Sequence, residues 1–128
     1  MPQAYVSYSL LPKFTASIDR QAAGSKKVFL CDTGIVNVLG KASLGQLFEQ
    51  SIFQNLRSVH ELAYYNKEGR SEIDFILDKR IGLEAKLSAS RQDMENLKRR
   101  AAGAGIDEYY LVSLQYSDDK KTILAIDI

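Results

Sequence analysis

The chain has 128 residues, 45% hydrophobic and 26% charged, with a formal net charge of +1, which suits one compact domain with a sizeable core. A lone cysteine, Cys31, and a lone histidine, His60, exclude an internal disulfide and a cysteine-built zinc site. With no charged-then-apolar leader, no apolar run near the roughly 18 residues that span a bilayer, and no bulk basic charge, the expectation is a cytoplasmic protein away from membranes.

Residues 4–11 alternate Tyr, Val and Leu with smaller residues and predict a strand that Pro12 ends. Residues 22–25 read as a loop. A short apolar strand follows at 28–31, then Asp32-Thr33-Gly34, then a short helix over 35–39 closed by Gly40. Asp-Thr-Gly after an apolar strand fits a homodimeric aspartic protease, whose loop presents one carboxylate of a shared pair. Such folds are nearly all β, whereas two strong helices follow here. Asp32 as a cap or turn residue is the simpler reading.

Residues 43–59 carry Leu44, Phe48, Ile52, Leu56 and Val59 at steps of three or four, the pattern of a buried helical stripe. Ser43 and Gln46 form a capping-box pair. Glu49 sits at the edge of that stripe. It is either a solvated or Arg-paired carboxylate, or a third acid aimed at a site elsewhere. Residues 61–67 predict a strand. Ser90 and Asp93 open a second helix with a narrow stripe of Met94, Leu97, Ala101 and Ala104, weakened at its end by Gly103 and Gly105. Strands are expected at 108–114 and 120–128. The basic run of Lys79, Arg80, Lys86, Arg91, Lys98, Arg99 and Arg100 is read chiefly as a solvated face.

Between these helices lies the stretch with chemical content, S-E-I-D-F-I-L-D-K-R-I-G-L-E-A-K-L from Ser71 to Leu87. Apolar-rich runs at 72–77 and 81–87, split by Asp78-Lys79-Arg80, predict a β-hairpin. Strict alternation places Glu72, Asp74 and Ile76 on one face of its first strand, with Ile73, Phe75 and Leu77 on the other. Glu84 and Lys86 share a face of the second, opposite Leu83, Ala85 and Leu87. Two acids and an amine thus project from a hairpin otherwise built for burial, which calls for a metal ion or a cation. Pairing of Glu84 with Lys86 or Arg70, with Asp74 capping a turn, would satisfy them without metal.

The order after residue 43, αβββαβ and a further strand, implies an α/β protein with three layers and a central mixed sheet. Asp74, Glu84 and Lys86 in the pattern D-x9-E-x-K resemble the core of the PD-(D/E)XK nuclease superfamily, with Ile73 in place of the name-giving proline. That superfamily has a restriction-endonuclease-like fold. A closer resemblance, over residues 4–115, rests on four stretches: K-K-V-F-L-C-D-T-G-I, L-G-Q-L-F-E-Q-S-I-F-Q-N-L, Y-Y-N-K-E-G-R-S-E-I-D-F-I-L and L-E-A-K-L-S. They are similar to the C-terminal nuclease-like domain of unknown function of bacterial and archaeal AAA-type P-loop ATPases.

The resemblance implies Mg²⁺ or Mn²⁺ held by Asp74 and Glu84, with Glu49 as the recurring helix acid in the first or second shell. It assigns Lys86 to the attacking water, and DNA as the partner. It also implies an N-terminal ATPase module preceding this domain, since no G-x-x-x-x-G-K-[ST] occurs here. Residues 1–42 would lead into a core at 43–128. Related nucleases often form homodimers, though no seam in the sequence marks an interface. The alternative is an inactive nuclease fold that binds DNA or a protein partner for the ATPase.

Overall fold

The structure, a computed structural model, describes residues 8–14, 26–30, 43–67 and 71–124. The expected short helix at 35–39, the Asp32-Thr33-Gly34 loop and the last four residues of the final strand lie outside them. Two strands, β1 (Tyr8–Pro12) and β2 (Lys26–Leu30), pair antiparallel. Pro12 falls inside β1 as its last pair, opposite Lys26, a strand end where the missing N–H is tolerated. A parallel bridge between Lys13 and Tyr64, with Phe14 N–H donating to the Tyr64 carbonyl at 2.7 Å, ties this ribbon to the main sheet.

Helix α1 (Leu44–Leu56) begins at the expected capping box: Ser43 Oγ accepts from Gln46 N–H, and Gln46 Oε1 accepts from Ser43 N–H. Phe48, Ile52, Phe53 and Leu56 are buried, but Leu44 and Val59, expected on the same stripe, are 64% and 73% exposed. Leu44 is the helix's first residue and Val59 lies past its last turn, so both overhang the core. The strands β3 (Leu62–Lys67), β4 (Ser71–Leu77) and β5 (Ile81–Lys86) follow. Then come α2 (Arg91–Ala104), β6 (Glu108–Ser113) and β7 (Thr122–Leu124). Ser90 and Asp93 cap α2 as expected, and Gly105 ends it in the left-handed region at φ 74°.

The five strands form one mixed sheet in the order β3-β4-β5-β6-β7. The first three are antiparallel neighbours; β5, β6 and β7 run parallel. Helix α2 makes the crossover that a parallel β5–β6 pair requires. Phe48, Ile52, Phe53 and Leu56 of α1 pack with Phe29, Phe75, Leu77 and Leu83 on one side. Leu97 and Ala101 of α2 pack with Ile73, Ile76, Ile106 and Leu111 on the other. The chain is therefore α/β: among the described residues one helix lies on each face of a five-stranded mixed sheet, consistent with a three-layer arrangement.

The β4–β5 turn puts two non-glycine residues in the left-handed region, Asp78 at φ 53° and Lys79 at φ 61°. The Arg80 N–H closes it on the Leu77 carbonyl at 3.0 Å. Left-handed central residues match the twist of a hairpin, and glycine is favoured there. Asp78 is held in place by the Glu61 N–H at 3.0 Å and by His60 Nδ1 at 2.6 Å; among the described residues Lys79 has only a 3.9 Å approach to exposed Glu61. Lys79→Gly is expected to raise stability by about 1 kcal/mol in urea denaturation. A fall would mean that the strain is already relieved by the surroundings.

Candidate functional site

Strands β4 and β5 are ladder-paired at Leu77↔Ile81, Ile76↔Gly82 and Phe75↔Leu83, where the register ends. Asp74 and Glu84 occupy the next position on each strand. Toward β3 the pairing steps from Ala63↔Ile76 to Tyr65↔Ile73, so β4 advances three residues while β3 advances two. This bulge corrects the strict alternation expected from sequence: Ile73 and Ile76 both face α2, while Phe75 and Leu77 face α1. Asp74 is the residue at which the phase changes. Its Oδ2 accepts the Ala85 N–H at 2.9 Å, beyond the last ladder pair.

Strand β5 keeps its alternation. Leu83, Ala85 and Leu87 pack on the α1 side, and Glu84 and Lys86 project toward α2. Glu84 is 5% exposed. Its Oε1 accepts from Arg100 Nη1 at 3.0 Å, and the same nitrogen donates to the Glu72 carbonyl at 3.3 Å. Glu84 Oε2 is buried with no hydrogen-bond partner among the described residues. Lys86 Nζ approaches Asp93 Oδ1 at 4.0 Å and stays accessible. On the α1 side, Lys27 Nζ lies 3.0 Å from Glu49 Oε1 and 2.6 Å from Glu72 Oε1.

These placements set the electrostatics. Burial and then the nearby Glu49 charge push Asp74 up to about 7, with Glu84 adding to the effect; the Ala85 amide and Lys27 oppose it. Burial also raises Glu84, against Arg100 and Lys86. For Lys27 burial works downward, but the Glu72 and Glu49 carboxylates outweigh it and hold the ammonium above its ordinary range. Asp74 thus stands between two acid groups, one on each side of the sheet.

Of the residues singled out from sequence, Asp74 and Glu84 stand at adjacent positions, with Glu49 within electrostatic reach but bound to Lys27 and Lys86 turned to Asp93. Among the described residues no three His, Cys, Asp or Glu side chains gather as a ready metal cage. A hard cation such as Mg²⁺ takes one or two carboxylates and keeps its waters, so Asp74 and Glu84 are the pair that could hold it. Glu84 Oε2, without a hydrogen-bond partner among the described residues, and Asp74, raised by burial and by neighbouring acids, fit such a cation.

Sequence reasoning missed Lys27 and Arg100. Arg100 falls three residues after Leu97 and beside Ala101, on the edge of the buried stripe, the same signal that drew attention to Glu49. Lys27 shares a strand face with buried Phe29. A cation at the rim of an apolar face was the available clue. No protein-family model, curated protein or solved structure matches the chain.

Proposed function

We propose that this chain is a metal-dependent nuclease domain of the restriction-endonuclease-like kind, hydrolysing phosphodiesters in DNA, and that it serves a separate ATPase module. The observation that carries this reading is the Asp74–Glu84 pair at the splayed end of β4 and β5. Both carboxyls are raised by burial, and one buried oxygen has no partner among the described residues. A divalent cation held there would supply a low-pKa water and neutralise charge on the phosphate. Arg100 fixes Glu84 by one oxygen and leaves the other for the cation. Asp74 is aimed by the Ala85 amide. Lys86, on the same strand face as Glu84 and accessible, orients the attacking water and meets the charge developing on phosphorus. One P–O bond forms as the ester P–O bond breaks; the attacking water gives up a proton to solvent, and the departing oxygen takes one up from solvent.

A second reading, an inactive nuclease-like fold that binds DNA or a protein, is favoured by one observation. Lys27 and Arg100 already compensate Glu49, Glu72 and Glu84 from within the chain. The two readings part on cleavage of supercoiled, linear, single-stranded and branched DNA with Mg²⁺, Mn²⁺ or EDTA. Metal-dependent cutting is expected, and Lys86→Ala should reduce it at least about 100-fold. The same substitution should change stability by less than about 1 kcal/mol, because the ammonium is exposed and only loosely paired. Absence of cutting, by this chain and by it joined to its ATPase module, favours the binding reading. Equal cutting by Lys86→Ala removes Lys86 from the site.

A further inference from the structure

Lys27 is used by no step of that reaction, yet its ammonium joins three elements beside the site. It reaches Glu49 on α1 at 3.0 Å and Glu72 on β4 at 2.6 Å from its own strand β2. The same nitrogen stands 5.9 Å from the centre of the Phe29 ring and 5.6 Å from that of Tyr64, so its location is defined by aromatic faces as well as by acids. Flanking carboxylates keep it protonated in spite of partial burial. The acids it neutralises adjoin Asp74: Glu72 is two residues away on β4, and the Glu49 charge bears directly on the Asp74 carboxyl.

Nucleases that use two metal ions need carboxylate oxygens for the second ion as well as the first. Here one oxygen of each carboxylate that would serve, Glu49 and Glu72, is already bound to a cation seated between them, so a second ion would have to enter beside a like charge. We infer that the site is built for one divalent cation, with the Lys27 ammonium as its second, permanent positive charge, seated between Glu49 and Glu72 where a second metal ion would otherwise be held. This rests on the metal-dependent reading above. Lys27 is then a positioning residue: it acts through Glu49 and Glu72, keeping both acids away from the cation at Asp74 and Glu84. A single-metal site of this kind leaves Lys86 as the group that faces the phosphate.

The test is to count Mn²⁺ ions bound to the intact chain by calorimetry and by electron paramagnetic resonance. The parent is expected to bind one ion, lost in Asp74→Asn. Lys27→Met should bind two, with the additional ion held at least tenfold more tightly than any residual second binding in the parent. Lys27→Arg should return to one. Lys27→Met/Glu72→Gln restores the parent's formal charge and should also bind one. Loss of a merely structural ion pair would lower stability in Lys27→Met without creating a Mn²⁺ site. If Lys27→Met is unfolded in EDTA, Mn²⁺ should restore folding; failure to do so overturns the inference. So does a Lys27→Met chain with no additional ion, or a double variant that keeps it. A parent that binds no Mn²⁺ counts instead against the metal-dependent function. The gain in Lys27→Met, read separately, still decides whether Lys27 occupies a cation position.

Discussion

Asp74→Asn is expected to make the metal-free chain more stable at pH 8 by roughly 2–4 kcal/mol while reducing DNA cleavage to background. The sign follows from the raised carboxyl. Asp74 titrates at about 7 in the folded chain against an ordinary value of 3.8. Its favourable contribution is therefore complete below about pH 4, declines as the pH rises, and is lost once the pH has passed through 7. Above that the folded chain carries an ionised carboxylate beside Glu49 and Glu84, with burial as the larger penalty. Asparagine has no such charge and can still accept the Ala85 N–H. Its advantage should vanish near pH 4 and grow to its full size by pH 8. Urea denaturation in EDTA at several pH values measures this directly, and a pH-independent difference would show that Asp74 is not the strained group. Added Mg²⁺ should offset most of that gap. At a hundred times its dissociation constant it should stabilise the parent by about 3 kcal/mol and leave Asp74→Asn unmoved. A site that is destabilising without its ligand is a recurrent mark of function over stability.

On the opposite side of the sheet, Arg100→Met should destabilise the fold by about 2–3 kcal/mol. The guanidinium is the one hydrogen-bonded partner of the Glu84 carboxylate among the described residues, and the Glu84 side chain is only 6% exposed. Removing one member of such a pair leaves a buried, uncompensated charge, which typically costs about 3–5 kcal/mol. The Arg100 side chain retains 24% exposure, so water that enters in its place should recover part of this. Replacing both residues, as Arg100→Met/Glu84→Met, should restore most of the lost stability, because apolar groups of similar size need no partner. Guanidinium melts of the two single variants and the double variant separate the possibilities. A double variant as unstable as Arg100→Met would assign the loss to the packing of the arginine stem and not to the stranded carboxylate.

Both predictions concern groups whose importance was only partly visible before folding. The elements themselves were legible. Capping boxes at Ser43–Gln46 and Ser90–Asp93 marked both helix starts, because the motif satisfies backbone groups within four residues. The charged break at 78–80 located the hairpin turn, and apolar periodicity distinguished helix from strand along most of the described chain. Asp74, Glu84 and Lys86 stood out because acids and an amine interrupt runs otherwise suited to burial.

Local sequence by itself determined where the helices and the central strands form, and that acids lie on the hairpin at their centre. Those properties depend on hydrogen bonds and periodicities that repeat over a few residues, so the sequence carries them directly. Only the tertiary structure decided which cation meets which acid. Lys27 reaches Glu49 across 22 residues of chain, and Arg100 reaches Glu84 across 16. The bulge at Asp74 was likewise decided by pairing with β3, which shifts the alternation that β4 would keep alone. From these long-range placements come the raised Asp74 carboxyl, the Glu84 oxygen with no partner among the described residues, and the ammonium fixed between Glu49 and Glu72. Each depends on burial and on charges brought close by distant segments, and neither quantity exists until the sheet has closed around them.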